Sequence, residues 1–243
     1  MAPLATSSAR RRFGDLADDI AARLPDREGL VFGASRYTFR EVARRIDEAA
    51  RRLIAAGVRH GEHVALWLNN SDEWIFISFA VQKIGAVLVP INTRFRSRDL
   101  AYVLAQSDSS FLITHDRSGP VDYAALVREA VALPASGDEV HDSRFPLLRR
   151  VILVGESLQA GTLDWATLAG PAARVSADDL AARARAVDPA ATAFIMYTSG
   201  TTGFPKGVVR THALVGNVEG RAGLMAITAD DTILAYLPLF LLL

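Results

Sequence analysis

The chain has 243 residues, and its 27 basic and 27 acidic side chains give a formal net charge of zero. A neutral chain has no electrostatic reason to bind nucleic acid or anionic lipid, which argues against both as partners. The sequence contains no cysteine, so disulfides, thiol catalysis and thiolate metal sites are excluded, and a reducing compartment such as the cytoplasm is favoured.

Apolar spacing predicts two amphipathic helices at the start of the chain. The first has one apolar face, formed by Phe13, Leu16, Ile20 and Leu24. The second begins at a capping box made by Thr38 and Glu41 and ends at Gly57. Opposite charges four residues apart predict ion pairs on its surface, namely Glu41 with Arg45, Asp47 with Arg51, and Glu48 with Arg52.

The remaining elements alternate between strands and helices. Strands are predicted at 62–69, 86–91, 110–114, 150–154 and 190–196 and around 208–209, and helices at 72–84, 98–106 and 123–133. The stretch 134–146 is predicted to be a surface loop. The stretch 155–188 is predicted to be a mostly polar region with short helices near Asp164 and at 177–186. Strands separated by helices indicate an α/β protein with a parallel or mixed sheet covered by helices.

Two apolar stretches raise the question of a membrane span. The stretch 74–91 is interrupted by Gln82, Lys83 and Pro90, and 233–243 is far shorter than the roughly 20 residues that a spanning helix needs. We therefore predict no membrane span. The arginines before Phe13 are not followed by an apolar core, so a secretory signal is not expected.

The most informative segment is 197–208, which lies between two apolar runs that can each form a strand. Its glycines permit dihedral angles and close approaches that let backbone N–H groups face an anion, while its hydroxyls and single lysine add donors and positive charge. We predict a loop that binds phosphate groups at the end of a strand, where α/β proteins bind ligands. The candidate residues are Thr198, Ser199, Gly200, Thr201, Thr202, Gly203 and Lys206.

Spacing excludes two other kinds of phosphate loop. A Walker A loop has its lysine directly after a glycine and before Ser or Thr, whereas Lys206 lies three residues after Gly203 and precedes Gly207. No G-x-G-x-x-G pattern opens a helix, so a dinucleotide-binding fingerprint is lacking. An ordinary turn does not require four hydroxyls, three glycines and a lysine in this order.

The segment 197–208, YTSGTTGFPKGV, resembles almost letter for letter the signature of the adenylate-forming enzymes, which include acyl-CoA synthetases, nonribosomal adenylation domains and beetle luciferases. Three further segments resemble motifs of that family. They are 36–42 (RYTFREV), 83–92 (KIGAVLVPIN) and 237–240 (LPLF). After the last of these the family has a histidine, whereas this chain has Leu241.

The resemblance implies that residues 1–243 form an incomplete N-terminal large domain of an adenylate-forming enzyme, without the C-terminal lid domain. In this family a carboxylate, a fatty acid among others, attacks the α-phosphorus of ATP, and the thiol of CoA then displaces AMP from the acyl-adenylate. The implied ligands are ATP, Mg²⁺, CoA and a small carboxylic acid. Residues 198–203 would cradle the ATP phosphates, and Lys206 would act catalytically by stabilising the departing pyrophosphate.

Several parts of the family pattern do not occur in these 243 residues. They are a Y-G-x-T-E segment, an aspartate for the ribose, a hinge and a C-terminal lysine. We therefore expect the chain to be inactive alone and to self-associate through an exposed C-terminal strand at 233–243. Two alternatives stay open: a non-catalytic nucleotide-binding module, and a gene fragment without a function of its own.

The histidines indicate no catalytic or metal site. None has the H-x-x-x-H spacing of a metal site, and no Ser-His-Asp arrangement can be read from the sequence. His212, directly after the predicted strand that carries Lys206, is expected to be a local packing or capping residue. Trp67, Trp74 and Phe79 lie in apolar periodic segments and are predicted to belong to the core.

Overall fold

A seven-stranded sheet organises the computed structural model, which describes residues 11–155, 159–198, 204–228 and 230–241. The strands are β1 (Glu28–Phe32), β2 (Ser35–Thr38), β3 (His63–Trp67), β4 (Val87–Pro90), β5 (Ser109–His115), β6 (Arg117–Ser118), β7 (Val121–Asp122), β8 (Arg150–Val154), β9 (Leu163–Asp164), β10 (Thr192–Thr198) and β11 (Lys206–Thr211). The helices are α1 (Asp15–Arg23), α2 (Phe39–Ala55), α3 (Asp72–Lys83), α4 (Ser97–Gln106), α5 (Tyr123–Ala130), α6 (Ala169–Ala172), α7 (Ala177–Arg185) and α8 (Leu214–Leu224).

The main sheet has the strand order β11-β10-β4-β3-β5-β8-β9. All neighbouring strands pair in parallel except β10 and β11, which are antiparallel. The predicted α/β fold with a parallel or mixed sheet covered by helices is therefore confirmed. Strand β4 leads through α4 to β5 on the far side of β3, so the chain crosses over inside the sheet.

The two faces of the sheet bury separate apolar cores. Along β3, Val64 and Leu66 face the core that contains α2 and α3, while Ala65 and Trp67 face the core that contains α4 and α5. This alternation follows from the two-residue period of a strand. Trp67 and Trp74 are buried as predicted, and Phe79 is half-buried against the first core.

Local signals placed the second helix correctly. The Thr38 hydroxyl accepts a hydrogen bond from the backbone N–H of Glu41, whose carboxylate accepts one from the Thr38 N–H, so the predicted capping box is confirmed. The φ angle of Gly57 is +91°, a conformation that favours glycine directly after a helix. Burial of four residues on one side of α2 then fixes its orientation on α3.

The predicted ion-pair partners of Asp47 and Glu48 on α2 are wrong. Glu48 contacts Arg44 and Arg45, the latter at 3.4 Å, and Asp47 turns inward to the Lys83 ammonium of α3 at 2.5 Å. Lys83 is only 7% exposed and also pairs with Asp18 of α1 at 2.7 Å. Burying an ammonium is costly unless it is paired, so packing among the three helices outweighs the local pairing preference.

Three other sequence expectations need correction. The β1–β2 hairpin was not predicted, because its strands are mostly exposed and show no apolar alternation. Asp164 itself lies in the short strand β9, which pairs with β8, and the short helix expected near it is α6, which begins five residues later. The stretch 134–146 is not purely a surface loop, since Val140 and Phe145 are buried in the core beneath α5.

The C-terminal apolar run does not form the predicted strand at 233–241, and its last two residues, 242–243, lie outside the described part of the chain. Residues 232–237 have no regular structure, and 239–241 form a single 3-10 turn in which Phe240 is buried. The Asn70 side chain fixes this segment: its amide donates to the Leu237 carbonyl at 2.9 Å, and its oxygen accepts from the Leu239 N–H at 2.8 Å. A strand needs an adjacent strand to hydrogen-bond its backbone. Here the Asn70 side chain bonds the backbone of Leu237 and Leu239 instead.

Self-association is nevertheless expected, through exposed side chains rather than a strand edge. Ile233, Leu234 and Tyr236 are 70%, 81% and 76% exposed. Soluble monomers rarely expose several large apolar side chains next to one another. Light scattering on the purified chain should therefore show oligomers, and Ile233→Ser with Leu234→Ser should reduce them. Leu147→Ser, at an exposed leucine outside this segment, is the matched control. A monodisperse monomer of the unmodified chain at tens of micromolar would contradict the prediction.

Within the described residues, no helix has both the length and the apolarity that crossing a bilayer requires.

Candidate phosphate-binding hairpin

The predicted phosphate loop connects two antiparallel strands. Strand β10 ends at Thr198 and β11 begins at Lys206, and these two residues are directly opposite each other in the ladder. Both side chains are exposed. The other candidates, Ser199, Gly200, Thr201, Thr202 and Gly203, lie outside the described residues. The structure therefore brings together the first and last members of the predicted set at the mouth of the loop.

The position of this hairpin suits ligand binding. Strand β10 runs parallel to β4, which runs parallel to β3, so the loop after Thr198 leaves from the carboxyl edge of the parallel strands. Ligands of open α/β sheets bind beside this edge. The Lys206 ammonium is exposed there, and no acidic side chain within the described residues forms an ion pair with it.

Gly207 allows a close cross-strand contact beside Lys206. Its partner in the ladder is Tyr197. A Cβ at position 207 would lie 2.9 Å from the Ile195 side chain and 3.3 Å from the Tyr197 ring, tighter than ordinary contacts. The absence of a side chain thus gives the Tyr197 ring room over the second strand.

Helix α4 contacts both limbs of the hairpin. The Tyr102 hydroxyl donates to the Pro205 carbonyl at 3.1 Å, and its ring stacks on Phe204 with centroids 5.1 Å apart. On the other limb, the Tyr197 hydroxyl donates to the Gln106 side-chain oxygen. Burial raises the pKa of Tyr197 to about 12, so this phenol stays protonated as a donor at neutral pH. Sequence reasoning missed Tyr102 and Gln106: their spacing of four places them on one face of α4, but not against any particular partner.

His212 anchors the opposite end of the hairpin. It is fully buried, its Nδ1 accepts a hydrogen bond from the Phe13 N–H at 3.3 Å, and its ring lies 6.0 Å from the Phe13 ring. The predicted packing role is confirmed, whereas the start of α8 receives no side-chain cap. Because Nδ1 accepts, the ring proton of neutral His212 lies on Nε2, which has no partner among the described residues.

Burial, aided by the positive charge of Arg12, lowers the pKa of His212 from 6.5 to about 4. Asp15 and Asp188 oppose this shift, and His60 adds to it. Between these two pKa values the unfolded chain binds more protons at this residue than the folded chain does. The folded state therefore loses stability as the pH falls from 6.5 towards 4, by about 3 kcal/mol over the whole window.

The pH prediction can be checked with one variant. His212→Asn offers a neutral acceptor to the Phe13 N–H and does not titrate in this range, so its free energy of unfolding should vary less between pH 7 and pH 4 than that of the unmodified chain. Urea unfolding at both pH values measures the difference. Carboxylates contribute equally to both proteins, so parallel pH profiles would show that His212 does not titrate as expected.

A separate cavity of about 440 Å³ lies beside the ends of β5 and β8. The carboxylates of Glu48, Asp72 and Glu73 line it. Burial and the neighbouring Asp72 raise the pKa of Glu73, whereas hydrogen bonds, including one of 2.5 Å from the Tyr37 hydroxyl, outweigh burial and lower that of Asp72. Arg45 and Arg52 also line this cavity, and Arg45 pairs with Glu48, so the charges there largely offset each other. Lys206 has no acidic partner among the described residues, which makes the hairpin the better candidate for a polyphosphate.

Metal binding by side chains alone finds no support in the described ranges. No group of three or more His, Cys, Asp or Glu residues there could hold an ion.

Comparisons with known proteins identify the family and the fold. The sequence profile of the AMP-binding enzyme family matches residues 17–243. YngI of Bacillus subtilis (strain 168), whose name is that of an acyl-CoA synthetase, is 34% identical over 232 residues, which cover 93% of this chain and 42% of YngI. The chain thus spans about two fifths of the length of this curated relative.

Solved structures share the fold. An inhibitor-bound N-terminal domain of FACL13 from Mycobacterium tuberculosis is 28% identical, with a TM-score of 0.64 over 95% of this chain and 52% of that one. The anthranilate CoA ligase AuaEII, solved with anthranoyl-AMP, has a TM-score of 0.68 at 23% identity and covers 86% of this chain and 37% of its own. At that identity the likeness concerns the fold alone.

Proposed function

We propose that this chain, which belongs to the AMP-binding enzyme family, supplies the hairpin that holds the phosphates of ATP in an acid:CoA ligase. The observation that carries the proposal is the pairing of Thr198 with Lys206 at the mouth of the loop, on the carboxyl edge of the sheet. The complete reaction would join a carboxylic acid to CoA through an acyl-adenylate, in the cytoplasm. Relatives such as YngI support the class of reaction and leave the acid open.

The proposed chemistry follows from charge. When a carboxylate attacks the α-phosphorus of ATP, the bond to the β-phosphate oxygen breaks and negative charge grows on the departing pyrophosphate. An ammonium held beside that group stabilises the transition state more than it stabilises bound ATP, which accelerates the step. Lys206 would provide this charge, and the Thr198 hydroxyl and the loop 199–203 would provide donors. Mg²⁺ would be held by the nucleotide itself and would neutralise part of the phosphate charge.

Calorimetric titration of the 243-residue chain tests the binding part of this function. MgATP and inorganic pyrophosphate should bind and compete with each other, while adenosine should bind much more weakly, because the described site offers contacts to phosphate. Lys206→Ala should weaken MgATP binding by about tenfold, the loss expected for a charged hydrogen bond.

Arg210→Ala is the matched control for this titration. Arg210 is an exposed cation on the same strand, four residues from Lys206 and therefore about 13 Å further along it. Its removal changes the net charge equally and should leave MgATP affinity within a factor of two. Equal losses in the two variants would indicate a nonspecific charge effect and count against the hairpin as the site.

A further inference from the structure

Helix α4 lies against the hairpin at two points, one on each limb. Tyr102 contacts Phe204 and Pro205, which directly precede Lys206, and Gln106 contacts Tyr197, which directly precedes Thr198. We propose that Tyr102 and Gln106 are positioning residues that hold Lys206 and Thr198 in register for a polyphosphate, an inference that rests on the proposed function of the hairpin.

The contacts of Tyr102 act on the backbone next to the lysine. Pro205 has a fixed φ and restricts the conformation of Phe204, so few angles remain free between this dipeptide and Lys206. The hydrogen bond to the Pro205 carbonyl fixes one of these, and the stacked ring of Phe204 fixes its side chain. Since Phe204 is 57% exposed, Tyr102 rather than the core provides its support.

The helix itself is firmly placed. Leu100, Val103 and Leu104 are almost completely buried in the core on that face of the sheet. The positions of Tyr102 and Gln106 are thereby set by packing that does not involve the hairpin. A rigid element that supports both limbs of a loop is what precise positioning of a charged group requires, because small displacements are costly to catalysis.

Hydrogen exchange on the ligand-free chain tests the inference directly. Tyr102→Leu removes both the ring stack and the hydrogen bond, and backbone amides 206–211 should exchange roughly tenfold faster or more. Tyr102→Phe keeps the stack and should restore most of the protection, with an increase of about threefold. Gln106→Ala, at an exposed position, tests the second contact without risk to the core.

Tyr123→Phe is the control, since it loses the same hydroxyl from a tyrosine that makes no hydrogen bond to the hairpin. That hydroxyl donates to Asn69 and to the Thr93 carbonyl, both at 3.3 Å, and touches neither limb of the hairpin. Exchange at 206–211 should be unchanged in this variant. The inference is overturned if Tyr102→Leu and Gln106→Ala also leave exchange there unchanged, or if Tyr123→Phe accelerates it equally.

MgATP affinity then links positioning to function. If Tyr102 acts through Lys206, the loss caused by Tyr102→Leu, expected to be about fivefold, should largely disappear in a Lys206→Ala background. Additive losses would overturn the link. If the unmodified chain fails to bind MgATP, the proposed function is contradicted, while hydrogen exchange still decides whether α4 holds the hairpin.

Discussion

No acyl-adenylate is expected when the purified 243-residue chain is incubated with ATP, Mg²⁺, CoA and a panel of carboxylic acids. The chain spans 42% of YngI, and the proposed site would contact phosphate from one hairpin. Correct orientation of reactants supplies roughly 7–11 kcal/mol in favourable cases, so a chain without the family's Y-G-x-T-E segment and C-terminal lysine should lose many powers of ten in rate.

Pyrophosphate release, followed with a coupled assay, measures this outcome. A complete acid:CoA ligase of measured activity, assayed under identical conditions with its own acid, is the positive control. Turnover by the chain comparable to that of a complete ligase would refute the prediction. Binding of MgATP without turnover would agree with it and would equally fit a non-catalytic nucleotide-binding module, whereas absence of both would favour a fragment without a function of its own.

Most of the fold could be predicted because its elements carry local signals. The capping box of Thr38 and Glu41 fixed the start of α2, and the apolar run before Gly155 matched β8 to the residue. The β1–β2 hairpin could not be predicted, because its exposed strands carry no apolar pattern. Asp47 was assigned the wrong partner because Lys83 reaches it only after three helices pack together, which no spacing within one helix reveals.

Part of the candidate site could likewise be predicted from the sequence and part could not. Thr198 and Lys206 could be proposed from the sequence because phosphate binding demands particular residue types in a particular order, which the sequence displays. Tyr102 and Gln106 could not, since their role depends on which face of α4 meets the hairpin. The C-terminal run was misread as a strand because its apolar composition suits one, whereas Asn70 decides its conformation from a distant part of the chain.

Lys206→Ala, made in a full-length enzyme that carries this segment, is expected to lower kcat for adenylation by about 10² to 10³, the usual cost of removing one donor that acts on the transition state. The KM for the carboxylate should change much less, because the proposed role of the lysine is to contact the phosphates and not the acid. Lys206→Arg keeps the charge but changes its size and geometry, so it should recover only part of the rate. ATP–pyrophosphate exchange measures the adenylation step without dependence on CoA.

The fold should survive Lys206→Ala, because the side chain is exposed and makes no ion pair within the described part of the chain. An unchanged unfolding temperature together with a reduced exchange rate would therefore assign the loss to chemistry. Arg210→Ala, with the same change of charge on β11, should exchange at close to the normal rate. If a well-folded Lys206→Ala enzyme exchanged pyrophosphate as fast as the unmodified one, the hairpin would be a structural feature, and the cation that stabilises the departing pyrophosphate would have to come from another part of the protein.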